Sequence, residues 1–356
     1  MWFRHAKPLI GIDIGSHAIK LVRFALTGAS YQLLDLALLP VPPDTVVDGV
    51  IGDIPAVQGL LQQLIALEKI TDKNVALALS GHSVIVKKVQ MVRMSEEELG
   101  NAMPYEAEQH IPFDVYDVNT DFQILDAADA NPSRSAQMEV LLAAAKKGRV
   151  DELSQVARGA NLSPSVIDVD MLALINAFEL NYPEEMHGHV VSLIHLGASM
   201  MTVLIVKDGL STFQRDIAFG GNQYTAALQK VLGLSREDAE AMKLGGRPWQ
   251  YAQADVLSVL RRVTEEVVAE IQRSFEFYLA SAGDDPIERL YVSGGGSRLK
   301  GLSQVLASRL KLAVEPLNPF RRIDIPEKLF AVDYVYDMGP MAAVAAGLAL
   351  RQKGDR

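Results

Sequence analysis

A strand–turn–strand pattern that occurs twice restricts the fold of this chain more than any other feature. The first copy, GIDIGSHAIKLVRF at residues 11–24, is an apolar strand, a Gly-Ser turn and a second apolar strand. The second copy lies in VVSLIHLGASMMTVLIVKDGLSTFQRDI at residues 190–217, where Gly197 follows Gly15 by 182 positions. The same offset pairs Asp13 with His195 and Lys20 with Thr202. Solenoid repeats have periods of about 20 to 50 residues, so this much longer period predicts two similar lobes that enclose a cleft.

The composition indicates a packed globular chain and excludes several kinds of site. Hydrophobic residues make up 49% of the 356 residues, and a chain of this length has room for two or three domains of about 150 residues each. Acidic residues outnumber basic ones, 44 to 34, and no segment gathers the basic ones into a stripe, so nucleic-acid binding is disfavoured. The absence of cysteine excludes disulfides, thiolate metal sites and a cysteine nucleophile.

The apolar segments near the two ends are short. The N-terminus lacks a run long enough for a signal peptide, and MAAVAAGLAL near the C-terminus is shorter than a membrane span of about 20 residues. We therefore expect a cytoplasmic chain with no direct membrane span.

The order of apolar runs predicts an α/β chain with one insertion. Residues 8–39 predict three antiparallel strands, and a helix in IPAVQGLLQQLIALEK leads to the strand NVALAL. Residues 84–157 differ, because the strands VIVKKVQM and MEVLLAAA flank an acidic helix that begins at Ser95 with a capping-box Glu98. The stretch PSVIDVDMLALINAF then predicts a strand that runs into a helix. A strand, glycine turn and helix in IERLYVSGGGSRLKGLSQVLASRL precede a final apolar helix at 340–351, which we expect to be buried.

Two small turns from two lobes can hold one polyphosphate between them. Glycine allows a ligand to approach the backbone closely, and backbone N–H groups with a hydroxyl form an anion-binding concavity. The candidate phosphate-binding residues are Gly15, Ser16, Gly197, Ala198 and Ser199. Lys20 can neutralise phosphate charge, and Asp13 can hold Mg²⁺ through water. Either turn alone is more simply an ordinary hairpin, but the matched repeat favours a ligand site.

A glycine-rich stretch, VSGGGSRLKG, lies near the C-terminus between a predicted strand and a predicted helix. Gly294 and Gly296, with Glu315 about 20 residues further on, suggest a dinucleotide fold, but Leu299 stands where the third glycine belongs. A turn that passes against an adenine or its α-phosphate fits better than a nicotinamide site.

Taken in order, these segments resemble the actin, Hsp70 and sugar-kinase superfamily. They are the first phosphate hairpin GIDIGSHAIK, the connecting helix DVDMLALINAF, the second phosphate hairpin HLGASMMT, the adenosine turn SGGGS and the last helix MAAVAAGLAL. The insertion resembles the relocated subdomain of the branch that includes FtsA. Four further stretches, YEAEQHIPFD, FGGNQYT, LSREDAEAMKLGG and RSFEFYLAS, resemble the PilM family of type IV pilus assembly proteins.

The resemblance implies an α/β, actin-like (ribonuclease H-like), two-lobed ATPase fold with an FtsA-type inserted subdomain. It divides the chain into 1–83 with 158–190 as the base of lobe I, 84–157 as the partner-binding insertion, 191–337 as lobe II, and 338–356 as a helix returning to lobe I.

The resemblance also assigns roles to individual residues. Ser16, Lys20 and Gly197 match phosphate-binding positions, and Asn176 on the connecting helix matches the residue that orients water. The adenosine turn contributes Gly294, Gly295 and Ser297, while Glu240 and Lys243 match positions near the ribose and base.

His195 departs from the family, which commonly has Asp at this position. A neutral imidazole is a poor ligand for Mg²⁺. We therefore expect ATP to act mainly as a structural ligand, with hydrolysis slow or absent. The alternative for His195 is a strand-end histidine bonded to a backbone carbonyl.

The function implied by the resemblance is that of a cytoplasmic ATP-binding scaffold, peripheral on the inner membrane through its partner. Members of the family capture the cytoplasmic tail of PilN beneath the pilus inner-membrane and motor components. EAEQHIPFD suits such a peptide, with acidic Glu106, Glu108 and Asp114 beside apolar Ile111 and Phe113, although the mixture is also typical of a solvated helix edge. The alternatives are a small-molecule kinase of the same fold, for which we find no sugar-binding motif, and an FtsA-like filament protein, for which we find no C-terminal amphipathic helix.

Overall fold

Two five-stranded sheets form the framework of the protein. The computed structural model describes residues 8–28, 30–125, 137–245, 253–282 and 285–355. Within these residues, no helix is both long and apolar enough to cross a membrane.

The first sheet has the strand order β10-β6-β1-β2-β3. Its strands are β1 (Ile10–Ile14), β2 (Ala18–Thr27), β3 (Ser30–Pro40), β6 (Asn74–Leu79) and β10 (Ser163–Val169). Strands β1, β2 and β3 are antiparallel neighbours, whereas β6 is parallel to both β1 and β10. The predicted three-stranded meander is therefore confirmed.

The second sheet repeats this topology, with the order β13-β12-β11-β14-β15. Its strands are β11 (Val190–Leu196), β12 (Met201–Lys207), β13 (Leu210–Ile217), β14 (Arg289–Ser293) and β15 (Ala313–Pro316). Strands β11 and β12 are almost continuously buried, which is why they read as unbroken apolar runs. The repeat in the sequence thus corresponds to two lobes with the same strand order.

Helices and a short hairpin complete the fold. The helices are α1 (Ile54–Leu67), α2 (Glu96–His110), α3 (Lys147–Gly159), α4 (Asp170–Asn181), α5 (Gly221–Leu232), α6 (Arg236–Lys243), α7 (Gln253–Ala282), α8 (Leu302–Leu310), α9 (Val332–Met338) and α10 (Ala343–Ala349). The hairpin joins β4 (Val46–Val47) to β5 (Val50–Ile51) through Asp48 and Gly49, both at positive φ, as a tight two-residue turn requires.

A small domain stands between β6 and α3. It contains β7 (Val84–Val92), β8 (Val118–Ile124) and β9 (Gln137–Lys146) in the order β7-β9-β8. Helix α2 packs its buried face, Leu99, Met103 and Ala107, into the same core as these strands. The predicted capping box is present, because Ser95 and Glu98 exchange side-chain to backbone hydrogen bonds.

Helix α3, although predicted as part of the insertion, packs elsewhere. Its buried residues Leu153, Val156 and Ala157 share a core with Val57 and Leu61 of α1. The small domain therefore has its own core up to the end of β9, and α3 contributes to the core of the first lobe.

The last helix is buried, as predicted, and packs between β1 and α4. A Cβ atom on Gly347 would lie 1.7 Å from the carbonyl oxygen of Ala173, so only glycine permits this approach of α10 to α4. The close packing fixes the start of α4 beside the turn that follows β1.

Candidate functional site

The turns of the two repeated hairpins meet in the cleft between the lobes. Ser16, in the β1–β2 turn, has its Oγ 3.0 Å from the Oγ of Ser199 in the β11–β12 turn. The Gly15 N–H donates to the carbonyl of Ala18 at 3.1 Å, and the Gly197 N–H donates to that of Met200 at 2.9 Å. The two turns therefore face one another as predicted, with one correction. Both glycine amides are used inside their own turns, which leaves the amides of the following residues for a ligand.

A side chain at either glycine would crowd the site: at Gly197 it would collide with the backbone of the turn, and at Gly15 it would displace the Lys20 ammonium group. A Cβ atom on Gly15 would lie 2.7 Å from Nζ of Lys20, and one on Gly197 would lie 2.9 Å from the carbonyl oxygen of Met200. The two glycines thus contribute to the site by keeping both turns compact.

A cavity of about 270 Å³ lies at this junction and is lined by both lobes. The predicted residues that line it are Asp13, Gly15, Ser16, Lys20, His195, Gly197, Ala198, Ser199, Glu240, Lys243 and Gly295. Three others, Asn176, Gly294 and Ser297, are not among the lining residues. Eleven residues chosen from separate parts of the sequence therefore surround one space.

Lys20 and Asp13 form an ion pair on the floor of the cavity, with Nζ 2.9 Å from Oδ2. Both side chains are only about 15% exposed, so water screens the pair weakly. A bound phosphate would compete with Asp13 for the ammonium group, and a cation would compete with Lys20 for the carboxylate.

His195 is neutral in this environment. Burial lowers the pKa of the imidazole to about 4, against the opposing effect of Asp13. Its Nδ1 lies 3.0 Å from Oγ of Ser293, and that hydroxyl donates to the carbonyl of Ile194 at 3.4 Å. The partner of the imidazole is therefore a serine hydroxyl and not the backbone carbonyl that the alternative interpretation expected.

Asp170 is a cavity residue that the sequence analysis missed. It begins α4 and lines the cavity, and its Oδ1 accepts the Met171 N–H at 2.7 Å. The pKa of this carboxyl is raised to about 8, mainly by burial and secondly by the negative charge of Asp216. The group is therefore mostly protonated at neutral pH. An acidic residue in the first turn of the predicted helix was the available signal.

Asn176, the residue of α4 that the resemblance singled out, lies away from the cavity. It lies six positions further along α4, about 9 Å at the usual rise of 1.5 Å per residue. It is half-buried outside the cavity lining. The start of α4 therefore lines the cavity and Asn176 does not, and a role of Asn176 in orienting water stays a prediction.

A polar network from α5 and α6 forms the opposite wall. Nζ of Lys243 lies 2.7 Å from Glu240, 3.0 Å from Oγ1 of Thr225 and 3.3 Å from the carbonyl oxygen of Gly221. Burial lowers the pKa of Lys243. Burial alone would raise the pKa of Glu240, but hydrogen bonds from Lys243 and Thr225 hold it below its usual value. Lys243 and Thr225 therefore hold the Glu240 carboxylate in a fixed position, where it could accept hydrogen bonds from a ligand.

The glycine turn after β14 is shaped by its contact with β11. Gly294 has φ of +82°, and a Cβ atom there would lie 2.4 Å from the carbonyl oxygen of Leu196. Its N–H donates to Pro340 at 2.7 Å, and Oγ of Ser297 donates to its carbonyl at 2.7 Å. Gly294 and Ser297 therefore hold the turn in place, while Gly295 and Gly296 face the cavity.

The start of α5 supports the second turn directly. The Gly221 N–H donates to the carbonyl of Gly197 at 2.9 Å, and the Asn222 N–H donates to that of Ala198 at 2.8 Å. A Cβ atom on Gly220 would lie 2.5 Å from the Ala198 carbonyl oxygen. FGGNQYT, singled out only for its resemblance, thus has a physical role as the support of this turn.

The residues predicted for the partner groove lie on the small domain. Glu108 and Asp114 are exposed, and Phe113 lies under Nζ of Lys146, 4.8 Å from its ring centre. Ile111 is only 7% exposed and belongs to the core, so its prediction as a surface contact is corrected. Glu106 is half-buried on α2.

Two tyrosines that the sequence analysis did not single out are prominent on the same domain. Tyr105 is 75% exposed and Tyr116 is 82% exposed. The charges beside them are mixed: Glu108 and Asp114 are exposed nearby in the chain, and the Lys147 ammonium group donates to the carbonyl of Tyr116 at 2.6 Å.

Comparison with known proteins identifies relatives of the whole chain. A family model described as "Type IV pilus assembly protein PilM" matches residues 11–353. A solved structure described as a PilM-PilN type IV pilus biogenesis complex is 29% identical, with a TM-score of 0.85 over 97% of this chain and 98% of that chain.

Two more distant structures share the fold. The ethanolamine utilization protein EutJ of Carboxydothermus hydrogenoformans has a TM-score of 0.58 at 16% identity, over 97% of this chain and 92% of that chain. MreB 5 of Spiroplasma citri bound to AMPPNP has a TM-score of 0.50 at 13% identity, over 96% and 94%. The predicted α/β, actin-like, two-lobed fold is confirmed, and the FtsA-type character of the insertion stays a prediction.

Proposed function

This chain belongs to the PilM family of type IV pilus assembly proteins, and from that premise we propose that it binds ATP between its lobes and holds the cytoplasmic tail of a PilN protein on its small domain. In this proposal it is a peripheral component at the inner membrane, attached through PilN and in contact with other pilus inner-membrane and motor components.

One observation carries the nucleotide part of the proposal: the contact of Ser16 with Ser199 at a cavity that also contains Lys20. Two hydroxyl donors from different lobes and one ammonium group suit a chain of phosphates, because charge-assisted hydrogen bonds to anions are strong. The distant structural relative MreB 5 is bound to AMPPNP, which supports a nucleotide as ligand for this fold.

The residues at the cavity also fit Mg²⁺ bound together with ATP. Asp13 provides a hard carboxylate donor there, and the carbonyl oxygen of the protonated Asp170 is a weaker second donor. Among the described residues, no group of three or more His, Asp or Glu side chains is arranged to hold a metal ion by itself. Mg²⁺ usually keeps several waters and takes only one or two carboxylates with the substrate phosphates, so this donor set suits it. When bound, Mg²⁺ would neutralise phosphate charge.

The protonation states argue for slow hydrolysis. His195 is neutral with a pKa of about 4, and Asp170 retains its proton at neutral pH with a pKa of about 8. A protonated carboxyl cannot accept a proton from water. We therefore infer that ATP stabilises the closed arrangement of the lobes, with phosphate release slower than about 1 s⁻¹, the low end of ordinary turnover.

The surface of the small domain supports the PilN part of the proposal. Tyr105 and Tyr116 are exposed, and the exposed acidic residues Glu108 and Asp114 lie within three positions of them in the chain. Aromatic anchors with a charged rim suit a peptide that combines apolar residues with a basic one. The solved relative is described as a PilM-PilN complex, which supports this partner.

We also propose domain limits that follow the packing. Lobe I comprises residues 1–83, α3 and the stretch up to residue 190, with the C-terminal segment 338–356 returning to it, and lobe II comprises 191–337. The small domain spans 84–146, because α3 shares the core of lobe I. Residues 1–7, 29, 126–136, 246–252, 283–284 and 356, which these limits include, lie outside the described residues.

The test uses the full chain and two ligands. Calorimetry should detect binding of ATP with Mg²⁺ and of a synthetic peptide of the PilN cytoplasmic tail, while NAD serves as the nucleotide control. Binding of NAD but not ATP would contradict the nucleotide proposal, and a tail peptide that fails to bind both with and without ATP would contradict the partner proposal.

A further inference from the structure

His17 carries a titratable side chain in the first turn of the cavity. It directly follows Ser16 and precedes β2, which begins at Ala18. Its carbonyl accepts the Val41 N–H at 2.8 Å, so the chain that follows β3 holds the backbone of the turn in place. The residue is exposed and lines the cavity. A fixed backbone therefore places an accessible imidazole beside any ligand that binds between Ser16 and Ser199.

Charged groups of both lobes act on this imidazole. Glu240 and Lys243, on α6 of lobe II, line the same cavity, and Arg236 begins that helix. Lys20, on β2 of lobe I, also lines the cavity. In the ligand-free protein His17 thus experiences one carboxylate and three cations.

This environment keeps His17 mostly neutral at pH 7. The walls of the cleft remove part of the hydration of the imidazole, and this desolvation lowers its pKa below the usual value. Glu240 opposes the decrease, whereas Lys243, Lys20 and Arg236 add to it. The imidazole can therefore gain a proton when a negative charge arrives nearby.

A bound phosphate chain would bring that negative charge. Ser16 lies one position before His17, so a phosphate held by the Ser16 hydroxyl is close to the imidazole in the chain. An opposite charge within about 4–6 Å shifts a pKa by roughly 1–3 in favour of the charged form. The phosphates would also offset the three cations that disfavour protonation of His17.

We propose that the imidazole of His17 takes up a proton from solvent when nucleotide binds, and that the resulting imidazolium holds the phosphate chain together with Lys20. The inference rests on the proposed function, because it needs a nucleotide in the cleft. It deepens that function by adding a phosphate-binding residue and a dependence of ATP affinity on pH.

Lower pH should strengthen ATP binding through His17. Protons and nucleotide each raise the affinity for the other by the same factor. Uptake of one proton lowers the Kd by up to about tenfold for each pH unit. The ratio of the Kd at pH 8.0 to the Kd at pH 6.0 therefore measures the effect.

Calorimetric titrations of ATP with Mg²⁺ at these two pH values test the inference. His17→Gln removes the titrating group, and His187→Gln changes an exposed histidine outside the cavity lining. Thermal melting verifies that each variant is folded. Asp13, Asp170 and His195 line the same cavity, and ATP itself titrates, but these groups are common to all the proteins compared. The ratio should be about fivefold or more larger in the unmodified chain and in His187→Gln than in His17→Gln.

His17→Arg separates charge from shape. Arginine stays protonated at both pH values. This variant should therefore bind ATP about fivefold or more tightly than the unmodified chain at pH 8.0, with the small pH ratio of His17→Gln.

Nuclear magnetic resonance of the imidazole protons provides a direct readout. The chain has seven histidines, and the resonance that is missing in His17→Gln identifies His17. Saturating ATP with Mg²⁺ should raise the pKa of His17 by about 1 or more. An unchanged or lowered pKa of His17 in the complex, or equal Kd ratios in the unmodified chain and His17→Gln, would overturn the inference and leave ATP binding standing. Failure of the unmodified chain to bind ATP at either pH would contradict the proposed function, and the inference with it.

Discussion

The hydroxyl oxygens of Ser16 and Ser199 lie 3.0 Å apart, although 183 positions separate the two residues in the chain. Each serine belongs to a turn that joins the first two strands of its own sheet. The contact therefore joins corresponding points of the two lobes, and a phosphate bound there would receive hydrogen bonds from both.

Removal of either hydroxyl should weaken ATP binding. A hydrogen bond to a charged group contributes about 1.5–3 kcal/mol, so Ser16→Ala and Ser199→Ala should each raise the Kd for ATP about 10- to 100-fold. Calorimetry checks this, with Ser308→Ala, an exposed serine on α8, as the control. Unchanged affinity in both cavity variants would contradict the assignment.

Asp13→Asn should have opposite effects with and without Mg²⁺. The variant frees Lys20 from its ion pair, so ATP alone should bind at least as tightly as to the unmodified chain. It also removes a carboxylate donor for the cation, so the additional affinity that Mg²⁺ provides should decrease. Titrations of ATP in EDTA and in Mg²⁺ measure both effects, and equal losses under the two conditions would be incompatible with this reasoning.

The stability of the ligand-free protein should decrease between pH 6.5 and 8 because of Asp170. Its pKa rises from 3.8 to about 8 on folding, so the folded chain binds more protons than the unfolded chain in that interval. Stability then falls as pH rises toward 8. His195 acts in the opposite sense at lower pH, because its pKa falls from 6.5 to about 4 on folding. Between about pH 4 and 6.5 its contribution to stability therefore rises and offsets the decrease caused by Asp170.

Urea unfolding at pH 6.5 and 8.0 separates these groups. Asp170→Asn should lose less stability than the unmodified chain over this interval, whereas Asp151→Asn, an exposed control on α3, should behave like the unmodified chain. The same pH slope in all three proteins would rule out a raised pKa at Asp170.

Gly220→Ala should damage the second turn. The added Cβ atom would lie 2.5 Å from the carbonyl oxygen of Ala198, so the turn must shift. We expect destabilisation of about 1–3 kcal/mol and loss of ATP binding. Gly59→Ala is the control, because a Cβ atom there meets open space on α1 and should stabilise the protein by about 0.5–1 kcal/mol. Denaturant unfolding distinguishes the two, and a neutral Gly220→Ala would show that the turn tolerates movement.

Tyr105→Ala should weaken binding of the PilN tail without affecting the fold. The side chain is 75% exposed, so its removal should change stability by no more than about 0.5 kcal/mol. An aromatic anchor at an interface contributes about 2 kcal/mol or more, which corresponds to a loss of affinity of about 30-fold. Tyr334→Ala, which is 51% exposed on α9, is the control. Fluorescence anisotropy with a labelled tail peptide measures both, and equal affinities would place the peptide elsewhere.

The sequence predicts the two lobes well because their strands are local features. Apolar runs such as Val190–Leu196 and Met201–Lys207 predict buried strands. The small residues at 15–16 and 197–199 predict the turn in each hairpin. The repeat then supplies the long-range information that the two turns belong together.

The position of Asp170, the exposed residues of the small domain and the limit of the insertion depend on contacts between segments that are distant in the sequence. Asp170 lines the cavity from the start of α4, and its raised pKa depends on burial and on Asp216 from the other lobe. In the small domain, Tyr105 lies on the exposed face of α2, whereas Ile111, in extended backbone just after the helix ends, lies in the core, although both belong to one mixed stretch. The limit of the insertion shifts for a similar reason, since α3 follows β9 without a loop but packs against α1.

The most direct measurement is a crystal structure of the protein with a non-hydrolysable ATP analogue and Mg²⁺. We expect continuous density for the triphosphate between the two turns, with the hydroxyls of Ser16 and Ser199 and the ammonium group of Lys20 within hydrogen-bonding distance of phosphate oxygens. A nucleotide bound outside this cleft, or one that contacts a single lobe and leaves Ser16 and Ser199 paired with each other, would contradict it.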